Sequence, residues 1–406
     1  MLQSNLSIQP NIIWIVTTQW RYSALGYRGD VNAQTPWLDE LAELATDYIQ
    51  AVTPHPMGPQ ARASLLTGKL SPGSGVTDYW DCLPKEHKTI AHALRDRGYV
   101  TGFFGKWHLG NRAKSDPFVG EKMAKSTVPP DSRGGFDLWE GFESGFLLND
   151  PWLHGSRIPH PTLFKGYQAD VLVQRTLEWT SGVSHAPFFC ILSLEAPHPP
   201  YGAPALNVER PSPGSLLLQP NVPLGGSVEQ QARHELSGYY AHIQATDRCI
   251  GKLITGINLN STIVVFTSVH GDMHGSHGVF RKAWPYEESV RIPLLVSNLR
   301  SGDHAKRSEW PLSLADLPHM TLAWAEGREW QCLRDSALIS MPVRTTIPLQ
   351  CDRSWRGFRS PRHKLILNAD GSPWLYFDLE KDPFELNNLV EEPSAAAEIA
   401  RASQLL

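Results

Sequence analysis

The chain has 406 residues, 41% of them hydrophobic and 19% charged, which is enough material for one large hydrophobic core and a smaller satellite domain. Its formal net charge of -4 at pH 7, with no long run of like charges, excludes binding to nucleic acid or to an anionic membrane through a long-range field. No segment approaches the roughly 20 apolar residues that a membrane span requires, so any recognition of an anion must be local.

The first residues of the chain carry no recognisable targeting signal. Met1–Leu6 has neither a basic nor an apolar region ahead of the first predicted strand, which predicts that there is no signal peptide. The five cysteines are an odd number without a CxxC spacing, so we interpret them as reduced structural residues and predict a cytoplasmic protein. They are Cys82, Cys190, Cys249, Cys332 and Cys351.

Four apolar runs of strand length alternate with helical stretches. Buried parallel strands have this composition, and their alternation with helices predicts an α/β fold with a large, mostly parallel sheet flanked by helices. In chain order the predicted elements are a strand at Asn11–Thr17, a helix at Pro36–Tyr48, a helix near Thr89–Arg97, a strand at Val100–Phe104, a helix near Asp170–Trp179, a strand at Pro187–Leu192, a helix near Leu236–Gly256 and a strand at Ser261–Thr267.

Polar residues follow the end of each of these strands. Ligands of open α/β sheets bind outside the carboxyl ends of the strands, so one pocket is expected to collect these residues. They are Thr18 and Gln19, Lys106 and His108, His198, and Val269 with His270.

Two long segments have little periodicity and are rich in Gly and Pro. We predict that Arg112–Pro161 and Pro199–Ser227 are surface excursions at the mouth of the pocket that determine substrate choice. The pattern changes at about residue 325, which predicts a main domain at 1–325 and a C-terminal subdomain at 326–406. For the subdomain we predict a small antiparallel sheet closed by a helix, with strands at Trp355–Arg359, His363–Leu367 and Trp374–Leu379 and the helix at Ser394–Ser403.

A set of short motifs occurs in order over nearly the whole chain. The motifs are Asn11–Ile12, Thr35–Asp39 (TPWLD), Arg62–Gly68 (RASLLTG), Gly105–Gly110 (GKWHLG), Gly135–Asp137 (GFD), Ala196–His198 (APH), His270–Asp272 (HGD), His277–Gly278, Pro285–Glu288 (PYEE) and Asp378–Glu385 (DLEKDPFE). Each motif alone is weak, but the set in this order resembles the sulfatase family of the alkaline phosphatase superfamily. The ordered set is specific for the fold, although a fold does not fix a function.

The resemblance implies a nucleophile four residues before Arg62, where the family has a cysteine or serine that is converted to formylglycine. Here that position is Gly58, which has no side chain with which to attack. The usual CxPSR is replaced by Gly58-Pro59-Gln60-Ala61-Arg62, so the context for the modification is missing as well. We therefore predict that the chain is not a conventional sulfatase.

The resemblance also implies a calcium ion, bound at positions that correspond to Thr18, Gln19, Val269 and His270. Calcium prefers roughly 6 to 8 oxygen ligands, several of them carboxylates, and none of these residues is acidic. We expect no metal here and no cofactor. A softer metal held by His270, His274, His277 and His55 is an alternative that ligand chemistry leaves open.

Groups that bind anions are retained. By resemblance, Lys106, His198 and Lys282 contact the sulfuryl group, while Arg62 and His108 contact the formylglycine. Each also has a structural alternative, such as a helix brace for Arg62 or a buried stem for either lysine. Losing a divalent cation and three carboxylates makes the pocket one charge more positive than in its relatives, so anion binding is expected to persist, with Thr18 and Gln19 as further contacts.

Three functions stay open, each with a small anionic substrate such as a sulfate ester and with neither nucleic acid nor a membrane as partner. The first is an enzyme that binds a sulfate, phosphate or carboxylate group and uses His108, His198 and His270 in metal-independent acid–base catalysis, such as elimination or intramolecular displacement of sulfate. The second is a non-catalytic pseudoenzyme or binding protein. The third is an ester hydrolase with an unconventional metal or a nucleophile such as Thr17 or Thr18.

Overall fold

In the computed structural model of the protein, which describes residues 9–299, 305–404 and 406, a ten-stranded sheet occupies the larger part of the chain. Met1–Leu6, for which we predicted no signal peptide, lies outside the described residues. The strands are β1 (Asn11–Thr17), β2 (Thr46–Tyr48), β3 (Val100–Lys106), β4 (Leu138–Phe142), β5 (Trp152–Gly155), β6 (Thr162–Leu163), β7 (Phe188–Ser193), β8 (Thr262–Ser268), β9 (Leu294–Ser297) and β10 (Lys306–Ser308).

The spatial order of the strands is β10-β2-β9-β8-β1-β7-β3-β4-β5-β6. The centre, from β8 through β1, β7 and β3 to β4, is parallel, whereas β9, β5 and β6 pair antiparallel to their neighbours. This arrangement confirms the predicted large, mostly parallel sheet. It also brings the carboxyl ends of β1, β3, β7 and β8 to one edge.

Helices cover both faces of the sheet. Ile13 and Ile15 of β1 pack into one core, and Trp14 and Val16 pack into the other. Because both faces are buried, the five residues Ile12–Val16 are all apolar, rather than apolar at alternate positions only. The helices are α1 (Pro36–Glu43), α2 (Gly58–Thr67), α3 (Ile90–Arg95), α4 (Glu121–Ala124), α5 (Gln168–Gly182), α6 (Ser227–Thr255), α7 (Glu287–Val290), α8 (Leu317–Ala325) and α9 (Ala396–Ser403).

Two helix predictions have wrong bounds. The helix predicted to run to Tyr48 ends at Glu43, and Thr46–Tyr48 forms β2 between β9 and β10. Pairing with two neighbouring strands outweighs the weak local preference of this short segment. Helix α6 begins at Ser227 rather than near Leu236, because its first turns are largely exposed and polar and so lack the apolar period that marks a helix.

The segment Arg112–Pro161 is not the irregular excursion that we predicted. It contains α4, β4 and β5, and β4 continues the main sheet beside β3. Short strands interrupted by glycine carry no readable periodicity, so the sequence concealed them. The second segment, Pro199–Ser227, is irregular as predicted until α6 begins, apart from a 3₁₀ turn at Pro213–Ser215.

The C-terminal part forms a separate four-stranded antiparallel sheet of β11 (Ala337–Met341), β12 (Trp355–Arg359), β13 (His363–Asn368) and β14 (Pro373–Asp378). The sequence predicted the last three strands and missed β11. Helix α9 packs on one face, and the other face packs against the main part of the chain, where Ile366 and Phe377 share a core with Met57 and Tyr79. The boundary at residue 325 stays a prediction.

Two further expectations concern the environment of the protein. Among the described residues, no helix combines the length and the apolar character needed to cross a membrane. All five cysteines are free, and Cys190, Cys249 and Cys351 are buried. The structural role that we predicted fits the buried thiols, and the cytoplasmic location stays a prediction.

Candidate anion-binding site

A cavity of about 490 Å³ lies at the carboxyl edge of the main sheet. It collects most of the residues that the sequence singled out, while Gln19 and Arg62 lie behind its wall and do not line it. The lining residues that were predicted are Thr18, Gly58, Lys106, His108, His198, His270 and Lys282.

The mouth of the cavity is largely apolar. Its side chains come from the segment after Arg112 and from the C-terminal part of the chain, so elements far apart in sequence shape it together. A ligand that fits this cavity has an anionic end for the floor and a less polar body for the walls. The apolar lining residues are Phe118, Val119, Phe146, Leu147, Ile347 and Pro348.

Lys106, the last residue of β3, is fully buried and already has a counter-ion. Its ammonium donates to Glu195 Oε1 at 2.7 Å, and the Glu195 side chain is 0% exposed. Burial lowers the pKa of Lys106 to about 8, and the charge of Glu195 opposes this shift. The ammonium also lies 4.5 Å from the centre of the Phe146 ring. The surplus positive charge expected from the sequence is thus offset by a carboxylate that we had not considered.

Lys282 is the second cation on the cavity wall. Its ammonium donates to Gln19 Oε1 at 2.8 Å and lies 3.4 Å from His198 Nε2. Gln19 in turn donates to Asp272, which connects the lysine to a buried carboxylate without a direct ion pair. Burial lowers the pKa of Lys282 to about 7. The lysine is therefore close to titration at neutral pH.

Arg62 on α2 braces the strands rather than facing the cavity. Its guanidinium donates to the Lys106 carbonyl at 3.1 Å, to Ser193 Oγ at 2.6 Å and to Thr18 Oγ1 at 2.9 Å. These bonds tie together the ends of β1, β3 and β7. Of the two roles that the sequence allowed for Arg62, this placement favours the brace.

His270 lines the cavity and has one ring nitrogen without a hydrogen-bond partner among the described residues. Its Nδ1 lies 2.9 Å from the Gly271 carbonyl, which accepts a proton and so places the ring hydrogen on Nδ1. Nε2 is buried and has no hydrogen-bond partner among the described residues. Burial, reinforced by the charge of Lys282, holds the pKa of His270 well below its usual value. The ring is therefore neutral at pH 7, with a free lone pair on Nε2.

The other two histidines are also neutral, because burial and neighbouring cations hold their pKa values well below the usual range. His198 donates from Nδ1 to the Pro199 carbonyl at 2.7 Å, which leaves Nε2 as the acceptor that faces Lys282. His108 Nε2 lies 3.2 Å from the Tyr79 hydroxyl, and its Nδ1 points at Gly58. None of the three is a cation at neutral pH.

The positions that bind calcium in relatives do not fit a calcium ion here. Thr18 Oγ1 donates to the Leu194 carbonyl and accepts from Arg62, while Gln19 Oε1 accepts from Lys282. The oxygens that would face a metal are thus occupied by two cationic side chains. Val269 offers no side-chain ligand, and no carboxylate stands at any of the four positions.

The histidines of the alternative metal site do not come together. His55 is held by the Ser340 carbonyl and by the amide of Ser71, and His274 lies between Tyr201 and Glu235. In the part of the chain that the structure describes, the one close group of three metal-binding side chains is His277, Glu288 and Glu385. Protein donors already occupy it, since Asn221 donates to His277 and Glu288, and Lys364 donates to Glu385.

Four of the twelve described residues other than glycine with a positive φ line the cavity or lie behind its wall. Gln19, His108, Phe146 and Arg281 all have positive φ angles, of 69°, 58°, 54° and 68°. Such conformations are uncommon for residues other than glycine, and they persist where the surrounding structure fixes a side chain in place. This pattern is typical of a binding site.

The most important residue that the sequence analysis missed is Glu195. It lies two residues after the end of β7 and three before His198, so the rule that located His198 applied equally to it. It was not predicted because the sequence does not show which acidic residue pairs with a given cation. Tyr79 and Phe146, which contact His108 and His198, were missed because aromatic residues are more often core residues.

Comparison with known proteins agrees with this architecture. The family model for sulfatases matches residues 10–327. The ulvan-active sulfatase of Formosa agariphila is 33% identical over 96% of this chain and 79% of its own length.

Solved structures resemble the chain in fold. A sulfatase-family protein of Bacteroides fragilis superposes with a TM-score of 0.82 at 24% identity, covering 98% of this chain and 94% of that one. A second structure, solved in complex with its substrate D-glucosamine-2-N,6-O-disulfate, has a TM-score of 0.80 at 20% identity over 98% of this chain and 97% of its own. At these identities the likeness concerns the fold alone.

Proposed function

This chain belongs to the sulfatase family, and we propose that it binds the anionic group of a sulfate ester in the cavity and acts on the ester by proton transfer, without a nucleophile at residue 58. The ulvan-active relative makes fragments of ulvan the first ligands to test. The protein would then release sulfate by a route other than nucleophilic attack on the sulfur atom.

One observation carries the proposal, which is the free Nε2 of His270. A general base needs an unprotonated atom that is directed at the substrate and held in one tautomer. The bond from Nδ1 to the Gly271 carbonyl fixes the tautomer, and the depressed pKa keeps Nε2 unprotonated. His270 therefore has the properties of a base.

Two reactions follow from a base and a bound sulfate ester. In an elimination, His270 removes a proton from the carbon next to the ester-bearing carbon, a double bond forms, and the C–O bond breaks with its electron pair leaving on sulfate. In an intramolecular displacement, His270 takes the proton of a substrate hydroxyl, whose oxygen attacks the ester-bearing carbon and closes a ring as sulfate leaves. Neither reaction needs a formylglycine.

Lys282 is suited to assist the departure of sulfate. Its ammonium lines the cavity and has protons beyond those given to Gln19 and directed at His198. A cation held in a buried site stabilises the negative charge that develops on a leaving oxygen.

Binding without turnover is the second candidate, and one contact favours it. A Cβ at residue 58 would lie 2.8 Å from His108 Nδ1, so His108 takes up the space into which a nucleophile would extend. The third candidate, hydrolysis by Thr18, has less support, because its hydroxyl donates to Leu194 and faces Arg62 rather than a base.

The experiment incubates the protein with ulvan fragments in water labelled with oxygen-18 and analyses both products by mass spectrometry. Elimination or displacement yields unlabelled sulfate and a saccharide one water lighter than the hydrolysis product. His270→Gln is expected to abolish sulfate release, while the matched variant His242→Gln, at a buried histidine outside the cavity, leaves it unchanged. Label in either product identifies hydrolysis. Binding of the fragments without any release of sulfate supports a binding protein instead.

A further inference from the structure

The charged side chains that line the cavity can be counted together with their partners. Three cations line it, Lys106, Arg281 and Lys282. Lys106 pairs with Glu195 at 2.7 Å, and Arg281 pairs with Glu235 through contacts of 2.7 and 3.0 Å. Two of the three cations are therefore neutralised by a carboxylate in direct contact.

Lys282 is the cation that remains. Among the described residues it forms no ion pair, and its ammonium is held by the neutral groups of Gln19 and His198. Behind the wall, Arg62 and Asp272 contribute one charge of each sign. When Lys282 is protonated, the cavity thus carries one uncompensated positive charge.

Glu195 is built into the structure as a fixed counter-ion. Its second oxygen, Oε2, accepts from the side-chain Nε2 of Gln168 at 3.3 Å. The backbone N–H of Glu195 donates to Oε1 of the same glutamine at 3.2 Å. The carboxylate is completely buried and cannot rotate into solvent to give way to a ligand. A ligand that reaches Lys106 therefore contacts an ammonium that is already paired with a carboxylate.

We propose that Glu195 is a specificity-determining residue, which neutralises Lys106 so that the cavity accepts a group with one negative charge and discriminates against a group with two. This inference rests on the proposed function, since it concerns the anion bound at the same site. A sulfate monoester carries one charge, whereas a phosphate monoester is mostly dianionic above a pH of about 6. The second charge would face Glu195 in a buried site, where like charges are costly.

The test measures dissociation constants at pH 7 by calorimetry for three probes of similar shape. These are p-nitrophenyl sulfate with one charge, p-nitrophenyl phosphate with mostly two, and the diester methyl p-nitrophenyl phosphate with one. The native protein is expected to bind both monoanions at least about tenfold more tightly than the dianion. Glu195→Gln is expected to remove that preference, while Glu140→Gln, at a buried ion pair outside the cavity, keeps it.

A double variant separates the charge from the loss of a buried contact. Lys106→Met/Glu195→Gln restores the original net charge and is expected to regain the preference for monoanions, whatever its absolute affinity. Equal binding of monoanion and dianion by the native protein would overturn the inference, as would a preference that Glu195→Gln leaves intact. If the native protein binds none of the three probes, the proposed function itself fails, which distinguishes the two claims.

Discussion

The ring of His108 occupies the space that a side chain at Gly58 would need, since a Cβ on residue 58 would lie 2.8 Å from the Nδ1 of His108. Gly58 begins α2 at the position where the family resemblance implies a nucleophile, and His108 follows β3. The ring is buried and held by the Tyr79 hydroxyl, so it cannot withdraw freely. The absence of a side chain at residue 58 therefore leaves room for the His108 ring.

Gly58→Ala is expected to destabilise the protein by about 1–3 kcal/mol, the usual effect of overpacking a filled core. The matched variant Gly182→Ala, at the end of α5 where a Cβ meets nothing within 4 Å, is expected to be neutral or slightly stabilising. Urea denaturation measures both free energies of unfolding. Adding His108→Ala to Gly58→Ala should remove most of the penalty, and a Gly58→Ala variant as stable as the native protein would show that His108 yields.

Calcium is expected to leave the melting temperature unchanged, and so is its removal with a chelator. Arg62 donates to Thr18, and Lys282 donates to Gln19, so an added divalent cation would meet two positive side chains instead of carboxylates. Differential scanning calorimetry with calcium in excess, compared with magnesium as the control, checks this. A calcium-specific rise in melting temperature, or stoichiometric calcium in the purified protein, would contradict it.

The parts of the fold that the sequence predicts are those with a long local pattern. In the strand Asn11–Thr17, the five residues Ile12–Val16 are all apolar because both faces are buried, and this run is visible in the sequence alone. β4 and β5 were not predictable, since each has five residues or fewer and depends on pairing with a distant neighbour. Their periodicity is too short to distinguish a strand from a loop.

For the site, the sequence predicts which residues meet but not how they pair. Lys106 and His198 line one cavity because the carboxyl ends of parallel strands meet at one edge, and Lys282, which the family resemblance implied, lines it as well. That Glu195 neutralises Lys106, and that Arg62 turns toward Ser193, depends on side-chain directions within a crowded core. Those side-chain directions cannot be predicted from the order of residues in the sequence.

Lys364→Met is expected to destabilise the protein by about 3–5 kcal/mol, because it leaves buried carboxylates without their partner. The Lys364 ammonium is 0% exposed and lies 2.8 Å from Glu287 and 2.7 Å from Glu385, joining the C-terminal sheet to the main part of the chain. Lys381→Met, at an exposed lysine that pairs with Asp378, should change stability by less than about 1 kcal/mol. Denaturant titration of both variants checks this. Equal losses in the free energy of unfolding would show that the buried pairs stabilise the protein no more than the Lys381 pair.

The affinity for a sulfate monoester is expected to fall as the pH rises through about 7, because Lys282 loses its proton there. The ammonium is the uncompensated charge of the cavity, and it is present below its pKa and absent above it. Sulfate monoesters keep one charge throughout this range, and His108, His198 and His270 are already neutral, so Lys282 is the first group of the cavity to lose its proton as the pH rises, and Lys106, whose pKa is about 8, follows it.

The limiting slope of that fall is about tenfold in the dissociation constant per pH unit, since one proton is linked to binding. Calorimetric titration of p-nitrophenyl sulfate at several pH values measures it. Lys282→Arg provides the control, because a guanidinium stays protonated over the whole range and its profile should be nearly flat at pH values below the pKa of Lys106, which is about 8. A flat profile for the native protein, or an equal decline in the arginine variant, would assign the charge that binds the anion to a group other than Lys282.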